Sequence, residues 1–153
     1  MSGICKLGEV AICAWLAGVI DGEGSVFLTR GRGRSPILCL NIGMTHKETI
    51  DHIKKITGVG SIYPRPAGAH RKALYMWQTS ENEAASVLYC CLPYLITKRE
   101  QAKLALEFRE AKKLFHAGGG RPRPAHSLAQ LEELKKQMSK LNGRGIGLDR
   151  VSV

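Results

Sequence analysis

The chain has 153 residues, enough for one domain with a sizeable core, and its 44% hydrophobic and 24% charged residues are ordinary for a soluble globular protein. Its 23 Lys and Arg against 13 Asp and Glu give a net charge of +10, and a small domain this basic usually binds a polyanion. A basic protein that is merely soluble is the alternative.

The five cysteines are odd in number and lack zinc-type spacing, so we expect reduced thiols in an intracellular protein. The sequence does not distinguish an organelle from a prokaryotic cytoplasm. We expect no signal peptide and no membrane span, because the first apolar run has no basic flank and is broken at Asp21.

Apolar periodicity and helix-end signals predict five helices, at about 9–21, 45–57, 81–91, 97–116 and 127–141. Three of them begin at sequences typical of a capping box, in which two side chains satisfy free N–H groups of the first turn: Thr45 with Glu48, Ser80 with Glu83, and Thr97 with Glu100. The stretch "AGGGRPRPA" (117–125) indicates a linker. We therefore predict a core over 1–116 and a C-terminal helical extension over 117–153.

Two hairpins fill the gaps between the helices, over 25–44 and 60–79. In the first, Leu38, Leu40 and Ile42 alternate on a buried face; in the second, Leu74 and Met76 suit that face. The order is one helix and then hairpin–helix twice, which suggests an internal duplication. The predicted class is α+β, with an antiparallel sheet packed on helices.

The other face of the sheet is polar, aromatic and basic, and such a ribbon can enter the major groove of DNA. Strand parity and the hairpin loops select these candidate DNA-binding residues: Phe27, Thr29, Arg30, Arg32, Arg34, Ile37, Cys39, Asn41, Ser61, Tyr63, Arg65, Arg71, Lys72, Tyr75 and Trp77. Arg65 and Arg71 suit guanine and Asn41 suits adenine, whereas the arginines of the first loop suit phosphates. The alternative is that these arginines only solubilise exposed loops.

The stretch "WLAGVIDGEGSV" (15–26) begins as a helix of small residues and ends in two carboxylates, Asp21 and Glu23. The helix dipole disfavours negative charge at this end, so a positive group should compensate. A divalent cation does this well, since carboxylates and free main-chain carbonyls are oxygen ligands. An ordinary helix-to-strand turn is the alternative.

The segment "LAGVIDGEG" resembles the signature of the LAGLIDADG homing endonucleases, and the order of helices and hairpins over about 9–116 is similar to that family's core. The resemblance implies an αββαββα core with a saddle-shaped sheet of four antiparallel strands packed on helices, here followed by a C-terminal helix. One motif implies a homodimer whose motif helices pack together through small residues and the helix end: Ala14, Ala17, Gly18 and Asp21.

The resemblance also implies the site. Glu23 and the carbonyl of Gly22 would bind Mg²⁺, although Mn²⁺ or Ca²⁺ can occupy such sites, and Lys98 in "PYLITKREQAKL" would be catalytic. His46 in "MTHKE" is the candidate for holding water. Lys98 could instead be a surface lysine and His46 a solvated first-turn residue. Asp21 is predicted at the helix end or interface, with metal ligation as the alternative.

The implied function is that of a site-specific endonuclease. Its homodimer would bind a long pseudo-palindromic duplex DNA through both sheets and hydrolyse one phosphodiester in each strand, leaving a staggered break. A catalytically silent DNA-binding regulator or an RNA splicing maturase on the same fold is the alternative, and a basic ribosome-associated protein is a second one.

Overall fold

The computed structural model describes residues 10–30, 35–115 and 125–143. Its elements follow one another in this order: α1 Val10–Glu23, β1 Gly24–Arg30, β2 Pro36–Met44, α2 Lys47–Thr57, β3 Ser61–Arg65, β4 Leu74–Ser80, α3 Glu81–Cys91, α4 Arg99–Leu114 and α5 Ala125–Gly143, with a 3₁₀ turn Leu92–Tyr94 before α4. The predicted α+β class, its αββαββα core and the additional C-terminal helix are confirmed.

The four strands form one antiparallel sheet in the order β1-β2-β4-β3. Its register places Val26 opposite Leu40, and Ile42 opposite Trp77. All four side chains are buried and belong to the main apolar cluster, so this face of the sheet packs on the helices. We call the other face the open face.

Helix α5 packs against α4 and β1. Its apolar side chains Leu131, Leu134 and Met138 are buried in the same cluster as the sheet and the other helices. Near its end, the Asn142 amide donates a hydrogen bond to the Val26 carbonyl at 3.0 Å. The division into 1–116 and 117–153 stays a prediction, although α5 contributes to the common core. In the part of the chain that the structure describes, no helix has the length and apolarity needed to cross a membrane.

The expected capping boxes do not form, although the helices begin close to the expected positions. Helices α2, α3 and α4 have no side-chain hydrogen bond at their N-caps, which are His46, Ser80 and Lys98. Tertiary partners engage the expected capping groups instead. The Thr97 hydroxyl bonds to Asp21, and the Glu83 carboxylate accepts hydrogen bonds from the Gly60 amide and the Thr79 hydroxyl.

The predicted parity of β4 is wrong by one residue. Tyr75 and Trp77 lie on the helix side, and Leu74 and Met76 lie on the open face. Trp77 is fully buried and its indole N–H donates to the Val59 carbonyl at 3.0 Å. Burying Trp77 removes more apolar area than burying Met76, so the core contains Tyr75 and Trp77 rather than Leu74 and Met76. Trp77 and Tyr75 are therefore not candidates for contact with DNA.

A candidate DNA interface and catalytic groove

The end of α1 is joined to the start of α4 through Asp21. One carboxylate oxygen of Asp21 accepts from the Ile96 amide at 2.7 Å; the other accepts from the Lys98 amide at 2.9 Å and the Thr97 hydroxyl at 3.0 Å. The main-chain carbonyl of Asp21 accepts from the Lys98 ammonium at 2.6 Å. These contacts fix the first turn of α4 against the helix that carries Glu23.

These bonds explain how a carboxylate is tolerated at the negative end of a helix. Partial burial raises the pKa of Asp21, but the hydrogen bonds from Ile96, Lys98 and Thr97 outweigh it and hold the pKa below its ordinary value. The amides belong to the N-terminal end of α4, whose dipole is positive, and the Lys98 ammonium adds a full charge. Both Asp21 oxygens are thus engaged, which disfavours the alternative of metal ligation by this residue.

Beside this junction, the end of α1 meets the open face of the sheet and the end of α5 in an open groove of about 790 Å³. Its walls include Glu23 from α1, Asn41 and Arg65 from the sheet, and Lys98 and Gln101 from α4. Glu23 is exposed, and so is Gly22 before it. The groove therefore brings together Glu23 and Lys98, which lie 75 positions apart in the sequence.

Gly24 is required where α1 turns into β1. A Cβ at this position would lie 2.6 Å from the main-chain oxygen of Ile20, which is closer than real contacts allow. The strand can therefore start directly under the last helical turn, which places Glu23 at the edge of the groove.

The oxygen atoms near Glu23 suit a hard divalent cation, but one chain supplies only part of a site. No group of three His, Cys, Asp or Glu side chains that could hold a metal occurs in the described residues. Of the two acidic residues that line the groove, Asp21 is engaged with α4, which leaves the Glu23 carboxylate and the main-chain carbonyls at the helix end. These oxygen atoms are of the kind that Mg²⁺ binds, but they are too few to form a full ligand set.

The structure does not bring His46 to the groove. As the N-cap of α2, His46 lies beside that helix's own first turn. Its Nδ1 hydrogen-bonds the Thr49 hydroxyl at 2.8 Å, and its Nε2 lies 3.2 Å from the Glu48 carboxylate. Both contacts lie within the first turn of α2, and His46 is not among the described residues that line the groove.

The open face carries a polar row across all four strands. Ser25 pairs with Asn41, Asn41 with Gln78, and Gln78 with Ser61. Gln78 was missed because of the error in β4 parity, although its polarity beside Trp77 was a signal. Ser25 lies on the same face of β1 as Phe27, so strand alternation would also have marked it as a candidate DNA-binding residue. The side-chain amide oxygen (Oδ1) of Asn41 is buried without a hydrogen-bond partner among the described residues.

The predicted DNA-contacting residues on strands have different exposures. Thr29, Ile37 and Asn41 are half-buried on the open face, as is Phe27, whereas Ser61, Tyr63 and Arg65 are exposed there. Cys39 has the open-face parity but is 3% exposed, and burial raises the pKa of its thiol, with Glu81 adding to the effect. Cys39 is therefore covered, and the expected direct contact with DNA does not fit it.

The hairpin cations that the structure describes have no acidic partner among the described residues. Arg30, Arg65, Arg71 and Lys72 are exposed and form no ion pair with any described residue, while Arg32 and Arg34 lie outside the described residues. Arg71 is in the loop between β3 and β4, where its main chain bridges to Gly68. By contrast, several helical lysines pair with a carboxylate three or four residues away: Lys47, Lys103, Lys113 and Lys135.

One stripe of α1 faces away from the core. Ala14 and Gly18 are exposed on it, with Val10 67% and Trp15 41% exposed. A Cβ at Gly18 would meet nothing within 4 Å in its own chain. Ala17, in contrast, is 0% exposed and belongs to the core, so its expected place in a dimer interface is wrong. Helical periodicity puts Ala17 on the face of Ile20 and Cys13.

Comparisons with known proteins agree with the fold. No protein-family model matches the sequence, and no curated protein matches it. Among solved structures, the chain is similar to the homing endonuclease I-CvuI in complex with its target, at 21% identity and a TM-score of 0.67, over 84% of this chain and 80% of that one.

Two further structures are similar. The archaeal intron-encoded homing endonuclease I-Vdi141I, complexed with DNA, gives 18% identity and a TM-score of 0.66 over 84% of this chain and 82% of that one. The LAGLIDADG meganuclease I-AabMI, bound to uncleaved DNA, gives 21% identity and a TM-score of 0.63 over 80% of this chain but 43% of that one. The chain therefore has the fold of the LAGLIDADG homing endonucleases.

Proposed function

We propose that this protein is a site-specific, metal-dependent DNA endonuclease that acts as a homodimer inside the cell. The observation that carries the proposal is the groove, in which Glu23 and Lys98 lie beside Asn41 and Arg65 of the open face. A catalytic carboxylate and an ammonium group next to a DNA-reading surface are what strand cleavage at a defined sequence requires.

The surface supports duplex DNA as the partner. The open face carries the polar row and Arg65, and the hairpin cations around it have no carboxylate partner in the described chain. Unpaired cations attract phosphates, and amide and guanidinium groups can read base edges in the major groove. The similar structures of I-CvuI and I-Vdi141I contain DNA, which supports the same partner here.

The proposed reaction is hydrolysis of one phosphodiester in each strand. Glu23 and the carbonyl of Gly22 would hold Mg²⁺, with Mn²⁺ or Ca²⁺ as other occupants; I-CvuI structures with Ca and with Mg support a divalent ion. Such an ion supplies charge neutralisation at the phosphate and a more acidic water. The Lys98 ammonium, which lines the groove, would stabilise the negative charge that grows on the phosphate oxygens.

The homodimer is proposed because one chain offers a single available carboxylate in the groove. Packing of two α1 helices through the exposed stripe around Ala14 and Gly18 would bring two Glu23 carboxylates near one another. Two copies of the open face would then form one long surface that fits a pseudo-palindromic DNA site and a staggered double-strand break.

The test is incubation of purified protein with a randomised duplex library and Mg²⁺, followed by sequencing of the cut ends. We expect recurrent cuts within one pseudo-palindromic sequence. Binding of a defined sequence without any cut would favour the silent regulator, and selective binding of structured RNA without DNA cleavage would favour the maturase.

The role of Glu23 is tested on the duplex so identified. Glu23→Gln keeps the shape of the side chain and removes its charge, so we expect cleavage to fall at least about 100-fold while DNA affinity in Ca²⁺ stays within about threefold. Glu107→Gln, an exposed glutamate on α4 outside the groove, is the matched control. Cleavage at the wild-type rate by Glu23→Gln would remove Glu23 from the mechanism.

A further inference from the structure

A hydrolytic groove needs a group that orients the attacking water, and the sequence candidate for this task is elsewhere. His46 is engaged with Thr49 and Glu48 at the start of α2. The Lys98 ammonium donates to the Asp21 carbonyl and, being only a donor, cannot accept a hydrogen bond from water. Other polar side chains that line the groove can accept such a bond, and Gln101 is one of them.

Gln101 is a groove residue to which the mechanism above gives no role. It lies three residues after Lys98, the N-cap of α4, and both residues line the groove with Glu23. The contacts of Asp21 with Ile96, Thr97 and Lys98 fix the first turn from which Gln101 projects. Its position relative to the end of α1 is thus set by a hydrogen-bonded junction.

The amide of Gln101 is also available. In the described residues it has no hydrogen-bond partner, and in the groove it shares this with the buried side-chain oxygen of Asn41 on the sheet. Other amides are engaged: Gln78 accepts from Tyr63, Asn142 donates to Val26, and Asn82 accepts from Arg109. A half-buried amide without a protein partner is satisfied by solvent or ligand. In the proposed hydrolysis, a water molecule of the groove is the reactant that attacks the phosphate.

We propose that Gln101 is a further catalytic residue, which orients the attacking water in the groove of the proposed endonuclease. Its amide oxygen accepts a hydrogen bond from the water and turns a lone pair toward phosphorus, while its NH₂ group can donate to a phosphate oxygen. The water oxygen bonds to phosphorus and the phosphorus bond to the leaving alkoxide breaks. One proton of the water ends on that alkoxide and the other in solvent, and Gln101 holds neither.

The experiment uses the full chain and the duplex found by library cleavage. Under single-turnover conditions with Mg²⁺, Gln101→Ala should cut about 10- to 100-fold more slowly, because misplacement of a reactant has effects of this size. Its affinity for the duplex in Ca²⁺ should fall by far less than its cleavage rate, and its melting temperature should equal that of the wild type. The matched control is Gln130→Ala, an exposed glutamine on α5 that is absent from the groove walls and should cut at the wild-type rate.

Gln101→Glu supplies a readout that a purely structural role would not change. Its carboxyl group would titrate beside the water, so the cleavage rate should gain a pH inflection that the wild type lacks. Wild-type cutting by Gln101→Ala, or an unaltered pH profile in Gln101→Glu, overturns this inference and leaves the endonuclease proposal standing. Absence of any cleavage by the wild-type protein overturns the proposed function itself, on which the inference rests.

Discussion

Asp21 shows how one side chain connects two distant parts of the chain. Its carboxylate binds the amides of Ile96 and Lys98, and its carbonyl binds the Lys98 ammonium. The first acid of the "DGE" sequence, Asp21, is thus used for position, and the second, Glu23, is the candidate metal ligand. Asp21 is hydrogen-bonded to the start of α4, whereas Glu23 is exposed at the groove, so the two carboxylates should respond differently to substitution.

Asp21→Asn should lower stability at neutral pH by about 1–2 kcal/mol, because hydrogen bonds to an ionised acceptor are lost or weakened. The lowered pKa of Asp21 means that its contribution is complete above its ordinary pKa of about 3.9 and is lost as the pH falls through the folded-state value. The variant should therefore lose less stability than the wild type between about pH 5 and pH 2.

The measurement is the melting temperature as a function of pH. Asp51→Asn serves as control, because Asp51 forms only an exposed i,i+4 pair with Lys47 and such pairs contribute little. Parallel acid profiles for wild type and Asp21→Asn would contradict the stabilising role of the Asp21 junction between α1 and α4.

At the scale of elements, α1 has one face in the core and one face without a partner. Leu16, Ala17 and Ile20 are fully buried, while Ala14 and Gly18 are exposed beside Trp15. Small side chains allow two helix backbones to approach closely. The exposed stripe is therefore the surface on which the proposed homodimer depends.

Gly18→Leu should separate the two α1 helices without disturbing the fold, because a Cβ at this position meets nothing within 4 Å in the described residues outside its own helix backbone. We expect a monomer by sedimentation, an unchanged circular dichroism spectrum and loss of specific double-strand cleavage. Ala129→Leu, at an exposed position of α5, is the control and should leave the oligomeric state unchanged. A dimeric and active Gly18→Leu would place the interface elsewhere.

Helix positions were predictable from the sequence because their signals are local. Apolar periodicity located all five helices to within about two or three residues, and alternation located both hairpins. Local signals failed where tertiary contacts decide. In β4, both parities are apolar, and only the packing of Trp77 under the Val59 carbonyl selects one. The capping groups Thr97 and Glu83 likewise bind partners far away in sequence.

The site was predictable only in part. Glu23 and Lys98 were joined by the family resemblance, since no local pattern connects residues 75 positions apart. His46 was selected as a residue after β2, and its own helix turn holds it away from the groove. In the sequence, Gln101 is marked only by its spacing from Lys98. That Gln101 lines the groove becomes apparent only once the Asp21 junction has placed the start of α4 beside α1.

At the scale of the whole molecule, the described cations differ in their partners. Several lysines of the helices pair with nearby carboxylates, whereas Arg65 and Lys72 of the hairpins have no acidic partner in the described chain. Arg65 lies on the open face within the groove, while Lys72 lies in the exposed loop before β4. The first position suits a base edge and the second a phosphate.

Arg65→Ala should relax preference at one base pair in each half-site, at a cost of about 1–3 kcal/mol there. Lys72→Ala should weaken all sequences equally and reduce the salt dependence by about one phosphate charge per subunit. Binding titrations at several salt concentrations, on the target and on its single-base variants, separate the two effects. A change confined to one half-site would contradict the symmetric arrangement.

The contact between Asn142 and the Val26 carbonyl has a consequence for how copies of this chain can associate. Val26 lies in β1, an edge strand whose outer hydrogen-bonding groups could recruit a strand from another molecule. The end of α5 blocks that edge. At the opposite edge, Pro64 in β3 removes a donor from the row. Neither border readily extends the sheet, so strand-to-strand polymerisation and aggregation are discouraged, and helical surfaces are left as the route to assembly.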